Sequence, residues 1–157
     1  MKPRYALGSA ALMVGSAVNF FGDHLLGFRM ELWTGLSYFS GLLLLDVFVV
    51  PFASGLAVAW VFGHGGKWLC YFPPMIVRLI AYVQLAVAGP LPPGTSEMNF
   101  ILWCFFVILA VEAAAFGGVL GEVFIKRIYT RSAEARAADQ IPAPPRKAPP
   151  AREDGQT

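Results

Sequence analysis

Three charged residues stand alone within long apolar runs: Asp46 in LLLLDVFVVP (42–51), Arg78 within a run centred near position 78, and Glu112 between positions 99 and 125. An ionisable side chain at hydrocarbon depth is expensive, and it needs an oppositely charged partner, a proton or water to persist. Counted along ideal helices, Asp46 and Glu112 each fall thirteen residues below one end of their runs, and Arg78 ten residues above the other end. At about 1.5 Å per residue this puts both carboxylates and the guanidinium near mid-membrane. Together they form the expected site. Arginine keeps its proton and can hold one carboxylate through two parallel hydrogen bonds. The second acid then requires a proton, a cation or water, which is the chemistry of a proton- or ion-handling site. The competing use of such a network is to fix helix register and pairing.

These residues must be positioned by helices, and the apolar pattern gives four: 5–26, 33–62, 68–89 and 99–125. Each reaches the roughly 20 residues that a bilayer crossing needs. Short connections make neighbours antiparallel, so the expected fold is an all-α integral membrane protein, a four-transmembrane-helix up-down bundle. Trp33 and Trp60 fall where an interfacial aromatic belt belongs. Pro51 lacks an amide donor and crowds the carbonyl of Val47, so a kink is expected one turn from Asp46. Pro73 and Pro74 fall in the first turns of the third helix, where missing donors are tolerated.

Small residues mark the faces that let helices approach. Gly8, Gly15 and Gly22 repeat every seven residues in the first helix, and Ala113, Gly117 and Gly121 every four in the last. The second set predicts a tight contact with either an internal neighbour or another chain. Gln84 and Glu122 are secondary polar positions on the third and fourth helices.

Other chemically suggestive residues resolve to plainer readings. Asp23, His24, Arg29 and Glu31 cluster before Trp33. Adjacent helical positions diverge by about 100°, which suits joint metal ligation poorly, so this segment is read as a solvated surface loop. The GHGGK turn (63–67) lacks the glycine spacing and the Ser/Thr of a phosphate loop. His24 and His64 belong to opposite ends of the bundle, as do Cys70 and Cys104, which excludes a shared haem, a shared metal and a disulfide.

The 157-residue chain is 57% apolar and 14% charged, with a mean hydropathy of +0.59. A soluble domain carries about 25% charged residues. The formal net charge of +2 is uneven: from Lys126 onward seven basic residues face four acidic ones. With so small a surplus, and that confined to the tail, nucleic acid is not an expected partner. Residues 130–157 are rich in alanine, proline and charge, and predict a disordered tail. Lys2, Arg4, Lys67, Lys126, Arg127 and Arg131 fall on one side against Arg29 on the other, which places both termini in the cytoplasm of a bacterial inner membrane or its equivalent. A basic stretch ahead of an apolar one also fits a signal peptide, but no cleavage context follows, and the first helix is read as retained.

Three function classes remain. The first is a small integral subunit or assembly protein of a larger membrane complex, whose partners are membrane lipid and other integral subunits. The second is a proton- or cation-coupled transporter or channel acting as a homo-oligomer. The third is a quinone- or lipid-binding membrane protein, since apolar pockets leave no motif. No metal, catalytic or haem motif is present, and no other cofactor is expected.

Overall fold

The computed structural model describes residues 4–63, 65–91 and 93–139. Four helices are long and apolar enough to cross a membrane: α1 (Arg4–Leu26), α2 (Gly41–Phe62), α3 (Gly66–Val87) and α4, which runs from Phe100 to Asp139 and is apolar through Ile128. They alternate in direction, with α2 packed between α1 and α4, and α3 against both. Large side chains such as Phe21, Leu25, Val83, Ile101 and Ile108 stand exposed on the outside of the bundle. In lipid this surface carries no hydrophobic penalty. Residues 130–139, expected in the tail, are helical, because α4 continues to Asp139; positions 140–157, and likewise Lys2 and His64, lie outside the described residues.

The second helix also begins later than the apolar run suggests. Trp33 is not helical: Leu32–Trp33 (β1) pairs antiparallel with Ser96–Glu97 (β2), and a 3-10 turn follows at Gly35–Tyr38. Gly35 has a φ of +75°, a left-handed value that glycine adopts without strain, and it takes the chain out of β1 into that turn. The aromatic residues here fold onto the end of the bundle instead of extending a helix. Trp33 and Tyr38 lie 5.3 Å apart, Tyr38 and Phe106 5.8 Å, and Tyr82 and Trp103 4.8 Å between ring centres. The Tyr38 hydroxyl donates to the Met30 carbonyl at 2.9 Å, and the Met98 amide donates to the Glu31 carbonyl at 2.9 Å. These bonds tie the two long loops into a cap over one end of the molecule, called the cap end below.

Glycine decides how closely the helices approach. A Cβ at Gly55 would strike the Ala114 carbonyl, and one at Gly117 the Phe52 carbonyl, so α2 and α4 touch backbone to backbone. At Gly121 it would stand 2.6 Å from the Ala59 Cβ. The contact face of α4 is therefore Ala110, Ala114, Gly117, Gly118 and Gly121, while Ala113 turns to its edge. In α1, Gly15 accommodates Val58 and Pro73, and Gly22 accommodates Val50; each would bring a Cβ to 2.5 Å. Gly8 has only ordinary contacts, the nearest at 3.6 Å.

Pro51 acts one turn earlier than a simple kink. The turn Leu45–Val49 is π-helical, and the Val50 amide donates to the Leu45 carbonyl, five residues back. A proline at position 51 gives no amide to the carbonyl of Val47, and the wider turn absorbs that loss. Asp46 lies within this turn, fully buried.

Candidate functional site

Arg78 is the centre of a buried ionic cluster. Its Nη2 donates to Asp46 Oδ2 at 2.7 Å and to Asp23 Oδ1 at 2.9 Å, and its Nη1 lies 3.8 Å from Glu31 Oε1. The guanidinium side chain is 2% exposed. Four different segments supply the group: α1 gives Asp23, the cap loop Glu31, the π-turn of α2 Asp46 and α3 Arg78. Folding the cap over the bundle is therefore what completes it.

The sequence pairing of Arg78 with Asp46 is present in the structure, and the other expected partner is not. Glu112 is exposed on the outside of the bundle, on the face of α4 away from Arg78. The reason is azimuth. Ala110 and Ala114, two positions either side of Glu112, are buried, and the Ala114 carbonyl lies against α2 at Gly55. Two residues turn a helix by about 200°, so Glu112 leaves that buried face and comes to the outer rim of the α2–α4 contact, beside Phe48 and Phe52. The places that Glu112 was expected to fill are taken by Asp23 and Glu31, which the sequence reading left in a solvated loop. A sequence signal for Asp23 did exist: Gly15, Asn19, Gly22 and Asp23 form one stripe at helical spacing, and Asn19 is buried.

The cluster also sits nearer the cap end than the middle of the helices. With α2 starting at Gly41, Asp46 is five residues, about 8 Å, below its start, and Asp23 is three residues, about 5 Å, from the end of α1. Arg78 lies nine residues before Val87, and its long stem spans the difference.

Beside the cluster is a cavity of about 590 Å³ between the cap-end halves of α1 and α3. Asp23, Glu31 and Arg78 form its charged wall, Phe20, Phe28 and Val77 part of its apolar wall, and His24, Arg29 and Gln84 also line it. His24 is exposed and stacks on Phe20 with ring centres 6.4 Å apart. Glu31 Oε1 and Asp46 Oδ1 are buried without a hydrogen-bond donor. Burial pushes the Glu31 carboxyl above the ordinary carboxylate range, against the lowering pull of Arg78. Burial likewise raises the Tyr38 phenol. Three carboxylates around one guanidinium carry a formal surplus of two negative charges when all are ionised.

A second feature lies on the outside. Phe48, Val49 and Phe52 of α2, with Leu109, Glu112, Ala113 and Phe116 of α4, line a groove of about 620 Å³. Among the described residues Glu112 is its only ionisable group, twelve residues, about 18 Å, from the start of α4. Glu122 is half-buried near the far end and accepts a hydrogen bond from the Gly65 amide, which fastens the α2–α3 turn. Both described cysteines are free; the Cys70 thiol donates to the carbonyls of Gly66 at 3.2 Å and Gly55 at 3.4 Å. Among the described residues, no group of three or more His, Cys, Asp or Glu side chains is arranged to hold a metal ion. Comparison with protein-family models, curated proteins and solved structures returns no match.

Proposed function

We propose that the protein is a small integral subunit or assembly factor of a larger membrane complex, docking a partner transmembrane helix in the groove between α2 and α4. The observation that carries this reading is Glu112, an exposed acid about 18 Å deep in an otherwise apolar membrane-facing groove. A charge left there against lipid costs a few kcal/mol, and a basic side chain at the same depth on a neighbouring helix removes that cost. A second copy of this chain does not offer one. Among the described residues, the Lys and Arg residues within the spans other than Arg78 are Arg4, Lys67, Lys126 and Arg127, all near the far end, and Arg78 is committed to its own cluster. The occupant is therefore a different chain with a mid-span Lys or Arg.

In this reading the Arg78 cluster has a structural task, which is to hold α1, α2, α3 and the cap in one register so that the groove keeps its shape. The charge bias of the loops puts both termini and the Lys67 turn in the cytoplasm, and the cap on the outer side, of a bacterial inner membrane or its equivalent. The test is a photo-reactive residue placed at Phe116 or Phe52 and activated in native membranes. The reading expects one foreign chain, joined through a transmembrane segment with a basic residue near its middle, and loss of the adduct in Glu112→Leu. Crosslinks to lipid alone would refute it.

The charge surplus around Arg78 favours a second reading, proton- or cation-coupled transport by a homo-oligomer. It expects pH-driven flux in liposomes that disappears in Asp46→Asn; equal flux in that variant and the natural protein removes it.

A further inference from the structure

We propose that the cap-end cavity is a binding site for an organic ammonium group carrying an apolar body, with the ammonium held between Asp23 and Glu31 and the body against Phe20, Phe28 and Val77. The proposal is independent of partner docking at Glu112.

Charge comes first. The formally charged groups at this site are Asp23, Glu31 and Asp46 against Arg78 and Arg29. With the acids ionised the site is one positive charge short. A single cationic group makes up the difference, and the cavity is the side from which it can arrive.

The position of the deficit is marked by an atom. Glu31 is 4% exposed and lines the cavity, yet its Oε1 accepts no hydrogen bond. Its distance of 3.8 Å from Arg78 Nη1 is an ion-pair separation, beyond hydrogen-bond reach. A buried carboxylate oxygen without a donor is costly, and an N–H from a ligand in the cavity would satisfy it. Asp23 lines the same cavity and spends Oδ1 on Arg78. An ammonium has three donors on a compact centre, enough to reach both carboxyls.

Shape sets the remainder of the ligand. A volume of about 590 Å³ falls within the range of small-molecule pockets, and aromatic and aliphatic side chains form the wall away from the charges. This accommodates a ring or short alkyl chain attached to the amine. The same ammonium chemistry has two sources, a soluble amine or the headgroup of an aminophospholipid, and the cavity lies at the level of α1 and α3 where either can approach.

The test uses the full chain in nanodiscs of phosphatidylcholine, whose quaternary headgroup has no N–H. Isothermal titration compares 2-phenylethylammonium with 2-phenylethanol, which has the same skeleton without the charge. The expected result is saturable binding of one ammonium per chain and weaker binding of the alcohol. Glu31→Gln and Asp23→Asn each weaken the ammonium by roughly tenfold to a hundredfold, the loss of one charge-assisted hydrogen bond. Glu112→Gln, on the far face, leaves it unchanged. Repeating the titration in discs containing phosphatidylethanolamine separates the sources: competition by the lipid assigns the site to a headgroup, and unchanged affinity assigns it to a soluble amine. No saturable binding of the ammonium, or equal binding of amine and alcohol, overturns the proposal. That comparison uses the natural protein, so it stands even where a variant fails to fold.

Discussion

Arg78 holds three acidic side chains from three other segments, and its removal leaves each of them in a buried site without a counter-charge. Breaking a buried ionic group by deleting one partner costs about 3–5 kcal/mol, far more than losing a surface pair. Arg78→Ala is accordingly expected to lose folded protein on heating in mild detergent, and Arg78→Lys to recover only part of it, since a point charge cannot reproduce the planar fork. Normal thermal stability in Arg78→Ala would mean that the cluster contributes nothing to the fold. Glu31 gives a second expectation with a definite sign. Its carboxyl is raised by burial, so the folded protein holds this proton more tightly than the unfolded chain does. Its contribution is present below the unfolded value and is lost as pH climbs through the raised folded value. The melting temperature of the natural protein should therefore fall relative to Glu31→Gln as pH rises from about 4.5. Parallel curves for the two would contradict the burial argument.

At the scale of elements, the contacts between helices separate glycines that are required from glycines that are incidental. Gly117→Val and Gly55→Val drive a side chain into the backbone of the opposing helix. Each should destabilise by roughly 1–3 kcal/mol or more, the usual cost of overpacking. Gly8→Ala meets nothing closer than 3.6 Å. That substitution should be neutral or gain up to about 1 kcal/mol of helix propensity. Unfolding in graded denaturing detergent distinguishes them, and equal losses at Gly8 and Gly117 would contradict the packing described. Gly15, Gly22, Gly117 and Gly121 were visible in the sequence as regular small-residue spacing, because close approach leaves a compositional trace, whereas Gly8 shares that spacing without the close contact. The start of α2 was not, because Trp33–Ser40 is apolar enough to extend a helix, and only the loop pairing and the turn at Gly35 take it elsewhere. The same fold of the cap carried Glu31 and the end of α1 into the cluster, so Glu31 became buried and Asp23 half-buried although both read as surface residues. Glu112 shows the complementary failure: its depth followed from counting residues, while its direction depended on which face of α4 met α2.

Over the whole molecule, two charged features divide the labour. One is internal, and closes the cap end by drawing three helices and a loop onto a guanidinium. The other is external, a lone acid in an apolar groove, and under the docking proposal it is where a partner helix completes the bundle. Helices in a membrane gain no hydrophobic energy from meeting, so packing and polar contacts select their partners. Under the docking proposal the groove supplies the first through Ala113 and its aromatic walls, and the second through Glu112. Photo-crosslinking from Phe116 in native membranes tests this most directly. The account predicts one foreign transmembrane segment with a Lys or Arg near mid-span, captured in the natural protein and lost in Glu112→Leu. Adducts confined to lipid, or to the same groove of a second copy, would contradict it.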